Sequence, residues 1–240
     1  MPCDLWTIPS MVTMIALGDR NPNLFTHREI DAVLERLGRN VDCSWVSTDS
    51  PEASRLEAVD GVWLLPGSPY RNDEAAYEAI THCLTSGTPF LGTCAGFQYA
   101  CVALVRSLAG VGVAGHAEAE PGGTDLVIAP LTCSLYGERR TVTPVAGTLL
   151  ATICGVEPFE GYHYCGYGLA PGFVQILERV GVVMSAFGDD VGVEAIELTD
   201  HPFFVGTAFQ PQVGTGSGEP VHPLIEAFLK ACAVRSGVEP

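Results

Sequence analysis

The first half of the chain alternates between two hydrophobic periods, which predicts strands and helices in turn. Apolar runs at residues 12–17, 41–46 and 62–65 are typical of buried strands. Apolar residues spaced three or four apart predict helices, with stripes at Ile30, Val33, Leu34 and Leu37, at Ala76, Ile80, Cys83 and Leu84, and at Phe97, Ala100, Cys101, Leu104, Val105 and Leu108. This order of elements predicts a parallel α/β sheet flanked by helices.

The pattern changes after about residue 110, where Gly, Pro, Thr and Val become frequent. Short apolar runs predict mostly antiparallel or mixed strands at residues 126–128, 182–187, 193–198 and 203–209. Residues 211–220, rich in Gly and Ser, predict a surface loop, and residues 222–233 predict a closing helix. Because no repeat, low-complexity tract or linker interrupts the chain, we expect a single domain over residues 1–240.

The composition indicates which classes of molecule the protein is not expected to bind. The chain has 240 residues, of which 47% are hydrophobic, so it is long enough to bury a large core. Its 28 acidic and 12 basic residues give a net charge of −16, which argues against binding to nucleic acid or to anionic membranes. Among the acidic residues, Glu194 and Glu197 are expected on a solvated strand face.

The cysteines indicate a reducing compartment. Nine cysteines form an odd set without a Cys-x-x-Cys pair, at positions 3, 43, 83, 94, 101, 133, 154, 165 and 232. This usage predicts neither disulfides nor structural zinc. No basic N-terminal region or apolar segment of membrane-spanning length is present, so we expect a cytoplasmic protein. Without a metal-ligand spacing, a Walker motif or a Gly-x-Gly-x-x-Gly motif, we expect no metal and no cofactor.

Residues 89–98 carry the clearest sign of chemistry, because they place Cys94 where a buried strand at 90–92 turns into a helix. In the pattern Gly92-x-Cys94-x-Gly96, a glycine on each side lets a tight, strained turn form, which pushes the cysteine side chain outward. A thiol at a helix N-terminus also favours the thiolate. Cys94 is therefore the candidate nucleophile.

Three segments together resemble the class I glutamine amidotransferases, and among them the C-terminal glutaminase domain of CTP synthase. The segments are Leu64-Leu65-Pro66-Gly67-Ser68, the turn around Cys94, and residues 201–212. The resemblance covers nearly the whole chain, which looks like a stand-alone protein related to that C-terminal region. It implies a flavodoxin-like α/β fold with a central, mostly parallel sheet flanked by helices and an added antiparallel portion.

The resemblance also implies a mechanism, and the chain departs from it at two positions. In the family, the cysteine attacks a glutamine carboxamide, backbone N–H groups corresponding to Gly67 and Ala95 hold the oxyanion, and a His-x-Glu pair completes the triad. Gln210 and Gln212 stand at the His and Glu positions. A glutamine amide has no basic nitrogen at neutral pH, so another group has to move the proton.

Further site residues follow from the same resemblance. Gln98 matches a residue that helps to bind glutamine, and Glu118 matches a carboxylate that holds the substrate's α-amino group. Gln210 and Gln212 would bind a polar group where the imidazole stands in the family. Arg71, which follows the Pro-Gly loop, is a candidate for a substrate carboxylate or an ordinary surface residue.

Histidines are the natural candidates for a replacement base, because their pKa lies near physiological pH. His163 is in the stretch that lines the family's substrate cleft, and His116 is beside Glu118; each also fits a structural role. The other histidines have structural interpretations: we expect caps at His201 and His222 and no chemical companion for His27 and His82.

Three functions remain open. The first is a cysteine-dependent amidotransferase or amidohydrolase that acts on glutamine or a small amide or acyl metabolite through a Cys94 thioester. The second is a different Cys94-dependent reaction of specialised metabolism, and the third is a catalytically silent binding protein. Because no segment corresponds to the amidoligase half of CTP synthase, an ammonia acceptor would be a separate synthetase, and cytidine nucleotide synthesis is not implied. The partners expected are a small-molecule substrate and a second copy of the chain.

Overall fold

The computed structural model describes residues 11–38 and 41–237. Its strands are β1 Val12–Leu17, β2 Val41–Val46, β3 Gly61–Leu64, β4 Phe90–Thr93, β5 Gly115–His116, β6 Leu126–Pro130, β7 Glu138–Pro144, β8 Phe159–His163, β9 Tyr167–Leu169, β10 Val182–Gly188, β11 Gly192–Leu198 and β12 Phe204–Thr207. Its helices are α1 Phe25–Arg36, α2 Asp73–Ser86, α3 Ala95–Ser107, α4 Leu149–Cys154, α5 Pro171–Arg179 and α6 Pro223–Arg235. Cys3 and the N-terminal segment lie outside the described residues.

The strands form a nine-stranded sheet in the order β2-β1-β3-β4-β12-β11-β10-β7-β8. The pairs from β2 to β12 are parallel, and the pairs from β12 to β8 are antiparallel. A three-stranded sheet, β5-β6-β9, lies apart from it. The predicted fold class, a flavodoxin-like α/β fold with an antiparallel portion, is confirmed.

Two hydrophobic clusters cover the two faces of the large sheet. One contains the apolar sides of α2, α3 and α5, and the other contains those of α1 and α6. Parallel strands covered on both faces are buried throughout, which explains why β3 and β4 read as continuous apolar runs. Among the described helices, none combines the length and the apolar character needed to cross a membrane.

The prediction that Glu194 and Glu197 lie on a solvated strand face is wrong. Both carboxylates are buried, at 0% and 2% exposure, because β11 lies inside the sheet between β10 and β12. Glu197 accepts hydrogen bonds from the backbone N–H groups of Leu149 at 2.7 Å and Leu150 at 3.1 Å. It therefore satisfies two otherwise unpaired donors at the start of α4.

The predicted surface loop at residues 211–220 is only half exposed. Residues 216–220 are exposed, whereas most of residues 211–215 are buried. The buried Glu29 on α1 explains this, because its carboxylate accepts hydrogen bonds from the N–H groups of Gly214 and Gly216, both at 2.8 Å. The closing helix is confirmed, and His222 caps it by accepting a hydrogen bond from the Leu224 N–H at 3.2 Å.

Candidate active site

Cys94 lies between the end of β4 and the start of α3, in a backbone conformation that L-residues rarely adopt. Its φ is 53° and its ψ is −105°, and it is the one non-glycine residue with positive φ in the described part of the chain. The Cys94 N–H donates to the carbonyl of Thr207 on the neighbouring strand β12 at 2.8 Å. The sheet thus fixes a strained turn, a feature that accumulates at functional sites.

Gly92 and Gly96 are needed because other parts of the backbone pass too close to them for a side chain, and not because of their own dihedral angles. A Cβ on Gly96 would lie 2.2 Å from the carbonyl oxygen of Leu64, and a Cβ on Gly92 would lie 2.7 Å from the backbone of Gly96. These distances are far below van der Waals contact, so any side chain would push α3 away from the sheet. The two glycines therefore let α3 begin directly against β3 and β4, with Cys94 at its N-terminus.

A pocket of about 220 Å³ opens in front of Cys94. It is lined by an acid, two thiols, aromatic rings and small residues; the lining comprises Leu24, Thr26, His27, Pro66, Gly67, Ser68, Cys94, Glu118, Tyr136, Tyr164, Cys165, Gly166, Tyr167 and Gln210. Of the described residues, no lysine or arginine lines it. The described parts of the chain also hold no group of three His, Cys, Asp or Glu side chains arranged for a metal ion.

The prediction that Cys94 favours the thiolate form is wrong. Its hydrogen bond with Cys165, together with burial, raises the pKa of Cys94 well above the usual value. The N–H of Ala95 acts in the opposite direction, as expected for a helix N-terminus, but the other two effects outweigh it. The thiol is 6% exposed, and its sulfur lies 4.0 Å from the carbonyl oxygen of Tyr164.

Two backbone N–H groups belong to this site: that of Ala95, next to Cys94, and that of Gly67, which lines the same pocket. The N–H of Ala95 bonds to the Cys94 sulfur. The N–H of Gly67, at φ 116°, donates no hydrogen bond within the described residues. The carbonyl of Pro66, in the same peptide unit, accepts a hydrogen bond from His27 Nε2 at 3.0 Å, and in a trans peptide the N–H points the opposite way. His27 therefore orients the Gly67 N–H.

His27 has companions that the sequence did not reveal. Its Nδ1 accepts a hydrogen bond from the N–H of Asn21 at 3.0 Å, so its proton is on Nε2. Burial lowers the pKa of His27, which keeps the ring neutral.

Glu118 lines the pocket at the end of a chain of buried and partly buried hydrogen bonds. The hydroxyl of Ser68 donates to its carboxylate, and its N–H donates to Nδ1 of His116 at 3.2 Å. Nε2 of His116 bonds to the side-chain oxygen of Gln98 at 3.0 Å, and the Gln98 amide nitrogen donates to the carbonyl of Tyr167 at 2.9 Å. Gln98 and His116 thus lie behind Glu118, whose pKa is raised by burial.

The two glutamines that the resemblance places at the triad positions hydrogen-bond each other. The Gln212 amide nitrogen donates to the side-chain oxygen of Gln210 at 2.7 Å. Gln210 lines the pocket, and its NH₂ group donates to no other described residue, so it is available as a donor at this wall. Gln212 is fully buried, and its own side-chain oxygen has no hydrogen-bond partner in the described part of the chain.

His163 and Arg71 lie outside the pocket lining. His163 is fully buried, with Nε2 2.9 Å from a Glu194 carboxylate oxygen and Nδ1 3.1 Å from the carbonyl oxygen of Gly161. Arg71 has a side chain that is 63% exposed and lies 3.7 Å from the carboxylate of Asp49.

Sequence reasoning missed several residues around Cys94. Cys165 lines the pocket, and His27 and Ser68 hold the Pro-Gly loop and Glu118. Cys165 carried a usable signal, because it follows His163 by two residues in the stretch assigned to the substrate cleft. His27 and Glu194 carried none, because their partners are distant in sequence.

Comparison with known proteins agrees with this geometry. A sequence profile described as "Glutamine amidotransferase class-I" matches residues 25–228. The chain is 32% identical to the CTP synthase of Rubrobacter xylanophilus over 206 residues, which cover 80% of this chain and 37% of that protein. It is 33% identical to the CTP synthase of Methanopyrus kandleri over 221 residues, which cover 82% and 40%. The chain thus spans about two fifths of the length of these relatives.

A solved structure shares the fold. The structure described as "Trypanosoma brucei CTPS - glutaminase domain with bound acivicin" matches with a TM-score of 0.81 and 19% sequence identity, covering 93% of this chain and 94% of that one. A glutamine amidotransferase from Thermotoga maritima matches with a TM-score of 0.56 and 16% identity, covering 94% and 85%. From the profile match and the sequence identities together, the chain belongs to the class I glutamine amidotransferase family.

Proposed function

We propose that the protein is a cysteine-dependent amidotransferase or amidohydrolase, which acts on glutamine or a small amide or acyl metabolite through a thioester on Cys94. The observation that carries this proposal is the strained turn at Cys94, which opens onto a pocket lined by hydrogen-bonding groups. A purely structural cysteine gains nothing from such a conformation, since a strained backbone costs of the order of 1–3 kcal/mol.

The backbone around Cys94 supports acyl chemistry. When a sulfur attacks a carbonyl carbon, negative charge develops on the carbonyl oxygen, and N–H groups fixed in advance stabilise it. The N–H groups of Ala95 and Gly67 are the proposed donors. His27 holds the Gly67 peptide in place through the carbonyl of Pro66, so this donor does not have to reorganise during the reaction.

Glu118 is the proposed binding group for an ammonium on the substrate. It is the one acidic side chain on the described pocket wall, and Gln98 and His116 support it from behind. Gln210 would donate to a polar substrate group, with Gln212 orienting it. Because Arg71 lies outside the pocket, a substrate carboxylate would have to rely on neutral donors.

The fate of any ammonia depends on a partner. The relatives are CTP synthases whose length this chain covers by about two fifths. We therefore propose that released ammonia is either lost to water or passed to a separate synthetase.

The test is ammonia release from two amides, L-glutamine and 4-aminobutanamide, which share the amide and the amine but differ in the carboxylate. We expect release from at least one of them, with 4-aminobutanamide favoured because the described pocket wall carries no lysine or arginine. Cys94→Ala should abolish release, whereas the control Cys101→Ala, a buried change on α3 away from the pocket, should retain it. Equal release by the wild type and Cys94→Ala, or none from either amide, would overturn the proposal.

A second candidate function is suggested by the NH₂ group of Gln210. A departing ammonia needs a proton, whereas a departing oxygen or sulfur anion can be stabilised by an N–H donor alone. A Cys94-dependent reaction on an ester or thioester would therefore also suit this pocket. It would give a Cys94-bound acyl group, visible as a mass increase of the intact protein, without ammonia.

A further inference from the structure

Two pairs of ionisable side chains are grouped where the pocket meets the core: Cys94 with Cys165, and His163 with Glu194. The two cysteines line the same pocket, at 6% and 7% exposure, and the Cys94 sulfur lies 4.0 Å from the carbonyl oxygen of Tyr164, the residue before Cys165. His163, two residues before Cys165, and Glu194 are fully buried.

The buried pair of His163 and Glu194 holds a proton that it does not release readily. Nε2 of His163 is 2.9 Å from the Glu194 carboxylate, and Nδ1 is 3.1 Å from the carbonyl of Gly161. A carbonyl only accepts hydrogen bonds, so Nδ1 carries a proton, and Nε2 shares a second proton with the Glu194 carboxylate. Burial lowers the pKa of His163, but the hydrogen bond and electrostatic attraction of Glu194, with the smaller effects of Cys165 and Gly161, together outweigh burial, so the pKa is raised.

The charge of His163 affects the pKa of Cys165, which is in contact with Cys94. The hydrogen bond from Cys94 lowers the pKa of Cys165, and the charge of His163 lowers it further, against the effect of burial. The same contact raises the pKa of Cys94. Two interacting sulfurs then hold one proton between them over a range of pH, as coupled acids do.

We propose that Cys165 is a second catalytic thiol, which accepts the proton of Cys94 as Cys94 attacks the substrate and returns it to the leaving group, with His163 and Glu194 as positioning residues. This inference rests on the proposed function, and it supplies the proton transfer that neither Gln210 nor Gln212 can perform. His27, which also lines the pocket, is not positioned to take this proton, because both of its ring nitrogens already form hydrogen bonds.

The steps balance with one shared proton. The Cys94 sulfur forms a bond to the amide carbon while its proton passes to the Cys165 thiolate, and the carbonyl becomes an oxyanion. The oxyanion collapses, the carbon–nitrogen bond breaks, and Cys165 donates the proton so that ammonia leaves. Water then attacks the Cys94 thioester and gives a proton to Cys165. The carbon–sulfur bond breaks, the acid leaves, and the proton returns to Cys94.

The first test is a titration of thiolate by its ultraviolet absorbance in the full-length protein, which requires no substrate. Cys3 and exposed Cys133 are replaced by alanine in the background. The pKa values of Cys43, Cys83, Cys101, Cys154 and Cys232 are all raised by burial. The other titratable groups that face the two sulfurs are Glu118, His27, Tyr70, Tyr136, Tyr164 and Tyr167.

We expect the background protein to show one thiol titration at a lower pH than that of an ordinary thiol. Cys165→Ala and Cys165→Ser should remove it, and Cys94→Ala should shift it to higher pH, because either change leaves a single buried thiol. The control Cys101→Ala should leave it in place. A low-pH thiol titration that persists in Cys165→Ala would overturn the inference, provided that far-ultraviolet circular dichroism shows a folded variant. Cys165→Ser, which conserves the shape, serves where Cys165→Ala does not fold.

The second test separates this inference from the proposed function. In the amide assay, Cys165→Ser should lower kcat by about 10²- to 10⁴-fold with little change in KM, because a proton-transfer group is lost and no binding contact is. An unchanged kcat in Cys165→Ser would overturn the inference and leave the proposed function standing. A shared thiolate in the titration without ammonia release would support the thiol pair and overturn the proposed function.

Discussion

At the scale of single residues, strain is concentrated at Cys94 while its neighbours provide space. Cys94 alone takes positive φ among the described non-glycine residues, and Gly96 approaches the carbonyl oxygen of Leu64 too closely for a side chain. The sequence pattern correctly predicted the turn. It did not distinguish which residue is strained and which one only makes room, because that depends on the neighbouring strand β3.

Gly96→Ala tests this division. Its Cβ would lie 2.2 Å from a backbone oxygen that cannot rotate away, so we expect the free energy of unfolding to fall by about 1–3 kcal/mol. Gly112→Ala is the matched control, because a Cβ there meets no atom within 4 Å. Urea denaturation of both variants measures the difference, and equal stabilities would show that the close packing at Gly96 is not needed.

At the scale of elements, the sequence predicted most strands and helices, but it missed β5, β7, β8, β9, α4 and α5 and did not show how the elements are held together. The apolar periods correctly gave β1 and β2, and the closing helix α6 within two residues at each end. The attachment of residues 211–216 to α1 was missed, because Glu29 and Gly214 are 185 positions apart. The sequence around a glutamate on a predicted helix does not show which distant groups its carboxylate will bind.

Glu29→Ala measures this attachment. The change leaves the N–H groups of Gly214 and Gly216 without a partner, which we expect to cost about 1–3 kcal/mol of unfolding free energy. Glu35→Ala, an exposed change on the same helix, should cost less than about 0.5 kcal/mol. Thermal denaturation compares the two; a Glu29→Ala protein as stable as Glu35→Ala would contradict the anchoring role.

At the scale of the whole molecule, buried histidines couple stability to pH. Burial lowers the pKa of His116 and of His222 to about 4. Because the unfolded chain binds these protons more readily, their contribution is intact above pH about 6.5 and is lost as the pH falls towards 4. His163 has the opposite sign: its raised pKa gives stability that is present below that pH and lost as the pH rises.

His222→Asn isolates one of these contributions. Asparagine can still cap α6, so stability above pH 7 should stay close to that of the wild type. Between pH 6 and pH 5, we expect the variant to lose about 1 kcal/mol less unfolding free energy than the wild type. Urea denaturation at each pH gives the comparison, and parallel losses in both proteins would refute the assignment to His222.

The sequence by itself determined the order of most elements and the turn that presents Cys94, because these follow from short-range periodicity and from motifs a few residues long. Only the tertiary structure brought Cys165 to Cys94, Glu194 to His163 and His27 to the Pro66 carbonyl. These contacts join residues that are far apart in the chain, 31 positions for His163 and Glu194 and 39 for His27 and Pro66. Packing of the sheet and its helices decides them, and no local pattern encodes such a distance.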